Sequence, residues 1–400
     1  MQRTIQTTYR YRLDPTAAQE KLLNQFAGAR RFVWNWALNR TRDHYRETGK
    51  TLSFADLSAE LTRLKHQPET AWLREMHAQS LQQALRDLDS AYQHLFRRAR
   101  KGDKKKGFPK FKSRKIDTPR FRMPQDVRLD GSFVSVPKIG MIRTSVHRPL
   151  EGITKSATFK REACGHWYIS LVTEQQIAPK TNRPIATHIG IDVGLKSLAA
   201  LSTGDVIDNP RWYRTQARKL RRAQQALSRK HKGSRNRGKA RIVVARLHQK
   251  IGNQRKDFLH KLSTDLVLHF DLVSIEDLNV HGLARTKLST SVLDAGWAMF
   301  RSMLEYKADR NDSHLMAIGR FFPSSKTCGA CGWVNADLTL ADRNWTCPCG
   351  VHHDRDLNAA RNIDHEGFRL FEQFVAAGYA ETQNACGDPV SPIDRIGTSR

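Results

Sequence analysis

The sequence predicts a chain of mixed class, an α/β part preceded by all-β and all-α parts. Three observations carry that expectation. Helical periodicity dominates from about residue 14 to 100, short alternating segments fill 119–174, and two apolar strands near 188–206 and 271–278 carry carboxylates. At 400 residues the chain exceeds one ordinary core, and 39% hydrophobic residues suffice for two or three.

The elements follow in order. TIQTTYRYRL (4–13) alternates and reads as a strand. Asp14-Pro15-Thr16 resembles a helix start, with Asp14 as candidate cap. Leu22, Leu23 and Phe26, then Phe32, Val33 and Trp36, then Leu81, Leu85, Leu88 and Tyr92, mark the apolar stripes of three or four helices, with a break near 48–53. Residues 97–115 (RRARKGDKKKGFPKFKSRK) form a dense basic run. Such a run is ordinarily a solvated loop. Here Phe108 and Phe111 interleave with cations, which suits stacking on bases beside phosphate contacts, so Lys104, Lys105, Lys106, Phe108, Lys110 and Lys112 are candidate nucleic-acid contacts. The segments FVSVPKIGMIR, TKSATFKRE and HWYISLVTE predict an antiparallel sheet or small barrel. The first strand could complete it, making the helices an insertion.

TNRPIA (181–186) reads as a linker, and HIGIDVGLKSLAALSTGDV (188–206) as strand, Gly turn and strand. Residues 211–261 then hold eighteen Lys or Arg and one acid, on a helical pattern broken at 231–238. A solvated surface helix mixes signs to gain i,i+4 pairs. This hairpin instead presents one cationic face, with Arg218, Lys219, Arg221 and Arg222 as candidate contacts to a nucleic-acid backbone. A further helix is expected to begin at Asp294 and carry Trp297, Phe300, Leu304 and Tyr306, and the polar tail beyond 376 to be loosely held.

Lys plus Arg number 68 against 39 acids, a net charge of +29. Self-repulsion of that size opposes compaction and points to a polyanionic partner, nucleic acid before membrane, since no apolar run reaches 18 residues. The N-terminal stretch has no signal-peptide character, so a cytosolic (cytoplasmic) protein is expected. Of six cysteines, Cys328, Cys331, Cys347 and Cys349 cluster, which in the cytosol means metal rather than disulfides.

Three acids stand out by setting. Asp192 lies within the apolar strand HIGIDVG, Glu276 ends LVSIE, and Asp356 or Asp354 opens a helix in HDRDLNAARNI. Singly, each has an ordinary reading as a turn cap, an ion-pair partner or a helix N-cap. As an ordered set, strand Asp, strand Glu and helical Asp point to an RNase H-like fold whose carboxylates ligate two Mg²⁺ or Mn²⁺ ions for phosphodiester hydrolysis. Cys328-x2-Cys331 and Cys347-x-Cys349, fifteen residues apart, resemble a zinc ribbon holding one structural Zn²⁺. The second pair is one residue shorter than the usual C-x2-C, which leaves His352 or His353 as an alternative fourth ligand.

The segments RYRLDPTAAQ (10–19), ARRFVWNWAL (29–38), GFPKFKSR (107–114), GIDVGLKSLA (190–199), IEDLNV (275–280), DAGWAMF (294–300), FPSSKTCGACG (322–332), HDRDLNAARNI (353–363) and NACG (384–387) run in one order over nearly the whole chain. In these the chain resembles TnpB, the protein of bacterial insertion sequences related to type V CRISPR effectors. The resemblance implies a β-barrel wedge domain (1–13 and 116–180) interrupted by a helical recognition domain (14–115). It implies an RNase H-like (RuvC) nuclease domain (181–321 and 350–375), a zinc-ribbon module binding target nucleic acid (322–349) and a tail (376–400). It places the catalytic trio on Asp192, Glu276 and Asp356, favouring Asp356 over Asp354. It further implies a guide RNA from the transposon end, cleavage of double-stranded DNA beside a short transposon-adjacent motif, and motif reading by the helical bundle and barrel, where Gln82, flanked by Gln79 and Gln83, is a candidate. Residue chemistry alone reaches only a basic metal nuclease. The competing expectations are a nuclease-inactive, RNA-guided DNA-binding regulator, which would lack one of the three acids, and a DDE-like transposase, which would need a separate domain to hold the element ends, whereas no helix-turn-helix is read ahead of the first catalytic strand.

Overall fold

The computed structural model describes residues 3–103, 107–179, 184–339 and 341–381, and divides into two compact units, 1–179 and 180–400. In the first, strand β1 (Arg3–Asp14) buries Tyr9, Tyr11 and Leu13 while their neighbours face out, the alternation read from sequence. Helix α1 (Ala17–Thr48) starts from a capping box in which Thr16 accepts from the backbone N–H of Gln19 and Gln19 accepts from that of Thr16. The cap is therefore Thr16 rather than Asp14, with Pro15 just ahead of it. Left-handed Gly49 ends the helix. Helices α2 (Phe54–Leu64) and α3 (Ala78–Arg100) follow, with a 3₁₀ segment, Pro68–Glu75, between them.

Strands β2 (Arg120–Met123), β3 (Arg128–Asp130), β4 (Phe133–Val136), β5 (Gly140–Ser145), β6 (Ile153–Arg161) and β7 (Trp167–Ile177) join β1 in a seven-stranded antiparallel sheet, ordered β2-β6-β7-β1-β5-β4-β3. Because β1 lies between β7 and β5, the helices are indeed an insertion in the sheet. They do not form a core of their own. Phe26 of α1 packs 5.3 Å from Phe121 of β2, which stacks on Phe159 of β6 at 4.7 Å, within one continuous apolar cluster. The two parts expected as separate domains thus share one interior.

The second unit contains β8 (His188–Val193), β9 (Ser197–Leu201), β10 (Val206–Asp208), α4 (Trp212–Ser228), α5 (Arg235–His269), β11 (Leu272–Glu276), α6 (Val280–Leu283), α7 (Ser289–Ala295), α8 (Trp297–Arg310), β12 (His314–Ile318), β13 (Asn344–Thr346), β14 (His352–Asp354) and α9 (Arg355–Glu381). Its main sheet runs β10-β9-β8-β11-β12, with β8, β11 and β12 parallel and β9 and β10 antiparallel. Ile189, Ile191, Val273 and Ile275 share a core with Leu259 and Leu266 of α5 and with Phe300 and Leu304 of α8. The opposite face carries α9. Asp294, expected to open a helix, instead lies near the end of α7, and left-handed Gly296 separates it from α8. Helix α9 continues through Glu381, past the 376 expected as the start of a tail, and residues 382–400 lie outside the described residues. Among the described residues no helix is long and apolar enough to cross a membrane.

Helix α9 lies unusually close to the sheet. A Cβ on Gly190 of β8 would stand 2.1 Å from the carbonyl oxygen of Ala360 and 2.4 Å from the backbone nitrogen of Asp364. A Cβ on Gly367 of α9 would stand 2.0 Å from Ser274 Oγ of β11. Gly190→Ala and Gly367→Ala should each lower stability by about 1–3 kcal/mol, since the added carbon meets backbone at Gly190 and the Oγ and Cβ of a buried serine at Gly367. Gly238→Ala, in α5 with nothing within 4 Å of the added carbon, should be neutral or stabilising. Urea denaturation of the three full-length variants checks the contrast.

Candidate active site

Alternation along a strand places Gly190 and Asp192 on one face of β8, and Ser274 and Glu276 on one face of β11. That face is the one α9 covers. The two strands are parallel with Gly190 opposite Ser274 and Ile191 opposite Ile275, so Asp192 and Glu276 fall at the next level of the ladder on neighbouring strands. Asp356 lies in the first turn of α9, one turn before Ala360, the residue pressed against Gly190. The three expected carboxylates are thereby brought to one end of the sheet. Their electrostatics agree. Burial, together with repulsion from Glu276 and Asp356, pushes Asp192 up to about 8, against the opposing pull of Arg355 and Arg343. Burial also raises Glu276, although Ser324 Oγ donates to its Oε1 at 2.5 Å.

Asp354 and Asp356 occupy different local roles. Asp354 Oδ1 accepts from the backbone N–H of Leu357 at 2.9 Å, so Asp354 serves the helix terminus. Asp356 is left to face the other acids and meets Arg343 at 3.1 Å and Arg355 at 3.6 Å. Asp192 and Glu276, whose ionisation is opposed, stand with Asp356 as a set of oxygen donors that fits hard divalent cations.

The sulfur atoms of Cys328, Cys331, Cys347 and Cys349 lie within 4.8 Å of one another, with Cys328 to Cys349 at 3.8 Å and Cys331 to Cys347 at 3.5 Å. Tetrahedral zinc with sulfur at its usual bond length sets sulfurs about 3.8 Å apart, so all four cysteines fit one Zn²⁺. The short second pair still closes. Gly332 donates its N–H to Cys328 O four residues back, whereas Gly350 reaches Cys347 O only three residues back. One residue is lost from the turn and the thiols still converge. His352 is engaged elsewhere, its Nδ1 at 3.0 Å from Thr346 Oγ1. His353 lies at the rim, Nε2 at 3.1 Å from Cys328 Sγ. Burial opposes ionisation of Cys328, but N–H groups of Cys331 and Ala330, with His353, draw its thiol down to about 6, while burial pushes Cys347 up to about 12, so the first thiolate of the cluster forms at Cys328. The pairing of β13 with β14 carries this module past 349 to Asp354, directly into α9.

Sequence reading missed the side chains that join the two sites. Asn358 and Asn362, buried on α9, donate to Thr327 O at 2.7 Å, and Asn362 also donates to Ser324 O at 2.8 Å. They hold the segment running from Ser324, the partner of Glu276, into Cys328. Two Asn residues spaced i,i+4 among Ala359, Ala360 and Ile363 were the available signal, because an amide on a buried helix face needs partners.

The expected nucleic-acid residues occupy varied settings. Arg218, Lys219, Arg221 and Arg222 are exposed on α4 around buried Leu220. Phe108 is 65% exposed, and Phe111, 50% exposed, lies under the Arg42 guanidinium. Segment 109–112 is fastened to α1, since Trp34 Nε1 donates to Lys110 O, Asn35 Nδ2 to Lys112 O and Arg42 to Pro109 O. Lys110 keeps its side chain exposed, while the Lys112 ammonium lies 3.2 Å from the Trp34 ring centre, and burial there, with Arg30 nearby, lowers it to about 7. Lys104, Lys105 and Lys106 lie outside the described residues. Gln82 is half-buried, Gln79 bonds Gln125 and Gln83 bonds Asp87.

Three family profiles match, described as "Probable transposase" over residues 170–287, "Cas12f1-like, TNB domain" over 297–363 and "Helix-turn-helix domain" over 1–50. The last span folds here as β1 and the single helix α1. A Streptomyces pristinaespiralis protein named as an RNA-guided DNA endonuclease is 41% identical, covering 98% of this chain and 94% of its own. The similarly named Escherichia coli InsQ is 34% identical over 96% of this chain and 94% of its own. Among solved structures, a Cas12f1–sgRNA–target DNA complex shares the fold at a TM-score of 0.54 and 14% identity, covering 90% of this chain and 98% of that one.

The Asp192 carboxyl holds its proton to about 8 when folded and to about 3.8 in an unperturbed chain. Folding therefore takes up a proton, and without divalent ions stability falls as pH rises from about 4 to 8. Asp192→Asn should be more stable than the native chain at pH 8, on the order of a few kcal/mol, and the gain should vanish near pH 4. Urea denaturation in divalent-free buffer without strong chelators checks it.

Proposed function

The chain belongs to the TnpB family, and from that membership we propose that it is a metal-dependent, RNA-guided endonuclease of double-stranded DNA. The observation that carries the reading is the convergence of Asp192, Glu276 and Asp356 from two parallel strands and one helix, with the Asp192 carboxyl pushed up to about 8. In this reading the second unit is an RNase H-like (RuvC) nuclease with an inserted zinc ribbon, and the sheet of the first is the wedge barrel, interrupted by a helical recognition part. The three carboxylates would hold two Mg²⁺ or Mn²⁺ ions. When bound, such ions stabilise the charge developing on the attacking and leaving oxygens of an in-line displacement at phosphorus.

The protein's own groups have distinct tasks. Ser324 fixes the Glu276 carboxylate, and Asp354 caps α9 so that Asp356 stays available. The exposed cations of α4 would track the guide RNA or heteroduplex backbone, while base pairing reads the target and the protein reads only a short adjacent motif. Guide and target would meet in the bacterial cytoplasm. All three acids are in place, which weighs against the inactive-regulator reading.

With the co-expressed RNA from the element's end, the native chain should cut a supercoiled target plasmid in Mg²⁺. Asp192→Ala, Glu276→Ala and Asp356→Ala should each abolish cutting and leave RNA and target binding largely intact. A variant that cuts at the native rate removes its residue from the site.

Elemental analysis after dialysis should find about one zinc per chain, lost in each of the four cysteine-to-alanine variants. Cys328→Ala should also lose cleavage that added Mg²⁺ does not restore, because thiolate and carboxylate sites sort metals by softness. Retention of zinc in Cys349→Ala with loss in His353→Ala would replace the fourth ligand.

A further inference from the structure

A cavity of about 510 Å³ opens at the start of α4, lined by Lys196 from the β8–β9 turn, Arg211, Tyr213 and Arg214 from the α4 terminus, and Thr290 and Ser291 from α7. That volume falls within the range of small-ligand sites, which is about 300–1,000 Å³. Its charge is one-sided. Lys196, Arg211 and Arg214 are exposed and form no ion pair with an acid among the described residues, and the Arg211 guanidinium donates only to the Lys196 carbonyl, at 3.5 Å. The one acid in the lining, Asp294, is already spent. Both of its oxygens accept from the backbone N–H of Tyr213 at 2.9 Å, and Arg255 pairs with it at 2.7 Å. Arg211 is moreover held in the left-handed region at φ 48°, a conformation that costs a non-glycine residue energy and concentrates at functional positions. Three uncompensated cations, hydroxyl groups and one aromatic ring describe a receptor for a phosphate carrying a planar base.

We propose that this cavity is a nucleotide subsite beside the carboxylates, with the phosphate against Lys196, Arg211 and Arg214 and the base against Tyr213. The inference rests on the nuclease reading above for its place in the reaction. Lys196 follows Asp192 by four residues, so their backbones are separated by at most roughly 14 Å. A strand lying across the carboxylates reaches the cavity within a few nucleotides. The subsite would fix that strand beyond the scissile phosphate and so set its register.

The test uses the full chain carrying Asp192→Ala, which binds without cutting, and fluorescein-labelled single-stranded oligo-dT and oligo-U. Lys196→Gln and Arg214→Gln should each weaken binding of one or both probes about tenfold. Each should also lower the slope of log affinity against log salt by about 0.7, the value for one lost single-strand phosphate contact. A photoreactive 5-iodouracil in the preferred probe should crosslink to Tyr213. Loss confined to oligo-dT assigns the subsite to a DNA strand, and loss confined to oligo-U assigns it to the guide. Native affinity and salt slope for both probes in both variants, with no Tyr213 crosslink, overturn the proposal. Plasmid cleavage by the native chain is scored in parallel, so absence of cleavage with these binding effects intact would fault the nuclease reading and not the subsite.

Discussion

A Cβ at Gly190 would stand 2.1 Å from the carbonyl oxygen of Ala360, and one at Gly367 2.0 Å from Ser274 Oγ, so α9 reaches its place only because neither position carries a side chain. These two contacts fix the helix against β8 and β11 at two points. A rod held at two points has little freedom left, and its first turn is delivered where β8 and β11 end. Asp356 therefore needs no long-range device to find Asp192 and Glu276. It is one turn from a contact that backbone sterics already enforce.

The arrangement concentrates negative charge in a protein whose net charge is +29. The cost is visible in the Asp192 carboxyl, which burial and its acidic neighbours push up to about 8. Arg343 and Arg355 offset part of it by standing against Asp356. Arg343 belongs to the loop between the cysteine pairs, and its carbonyl accepts the N–H of Arg355 at the start of α9. Asn358 and Asn362 tie the other end of that module to the same helix. The cysteine cluster and the carboxylates thus share α9 as a common support, and order in one is order in the other.

Much of this was legible because it rests on patterns of period and spacing. The alternation of β1, the break between α4 and α5, the carboxylates inside apolar strands and the cysteine pairs all survive translation into coordinates. What failed or was missed depended on contacts between distant residues. Thr16 rather than Asp14 caps α1 because the reciprocal Gln19 bond selects it. The helices and the first sheet share one core through Phe26 and Phe121, far apart in sequence. Asp294 reads locally as a helix start, yet its partners are Tyr213 and Arg255. Lys112 reads as a free cation in a basic run, but Trp34 takes its ammonium. Gly190 reads only as one residue of an apolar strand, although its role is to admit another helix.

If the glycine contacts place the third carboxylate, disturbing them should impair metal binding without touching any ligand. Manganese titration followed by electron paramagnetic resonance, on full-length Gly367→Val that keeps its circular dichroism and its zinc, reads this directly. Affinity at the carboxylate site should fall at least tenfold, as for a variant lacking the Asp356 carboxylate. Native manganese affinity in Gly367→Val would contradict the account.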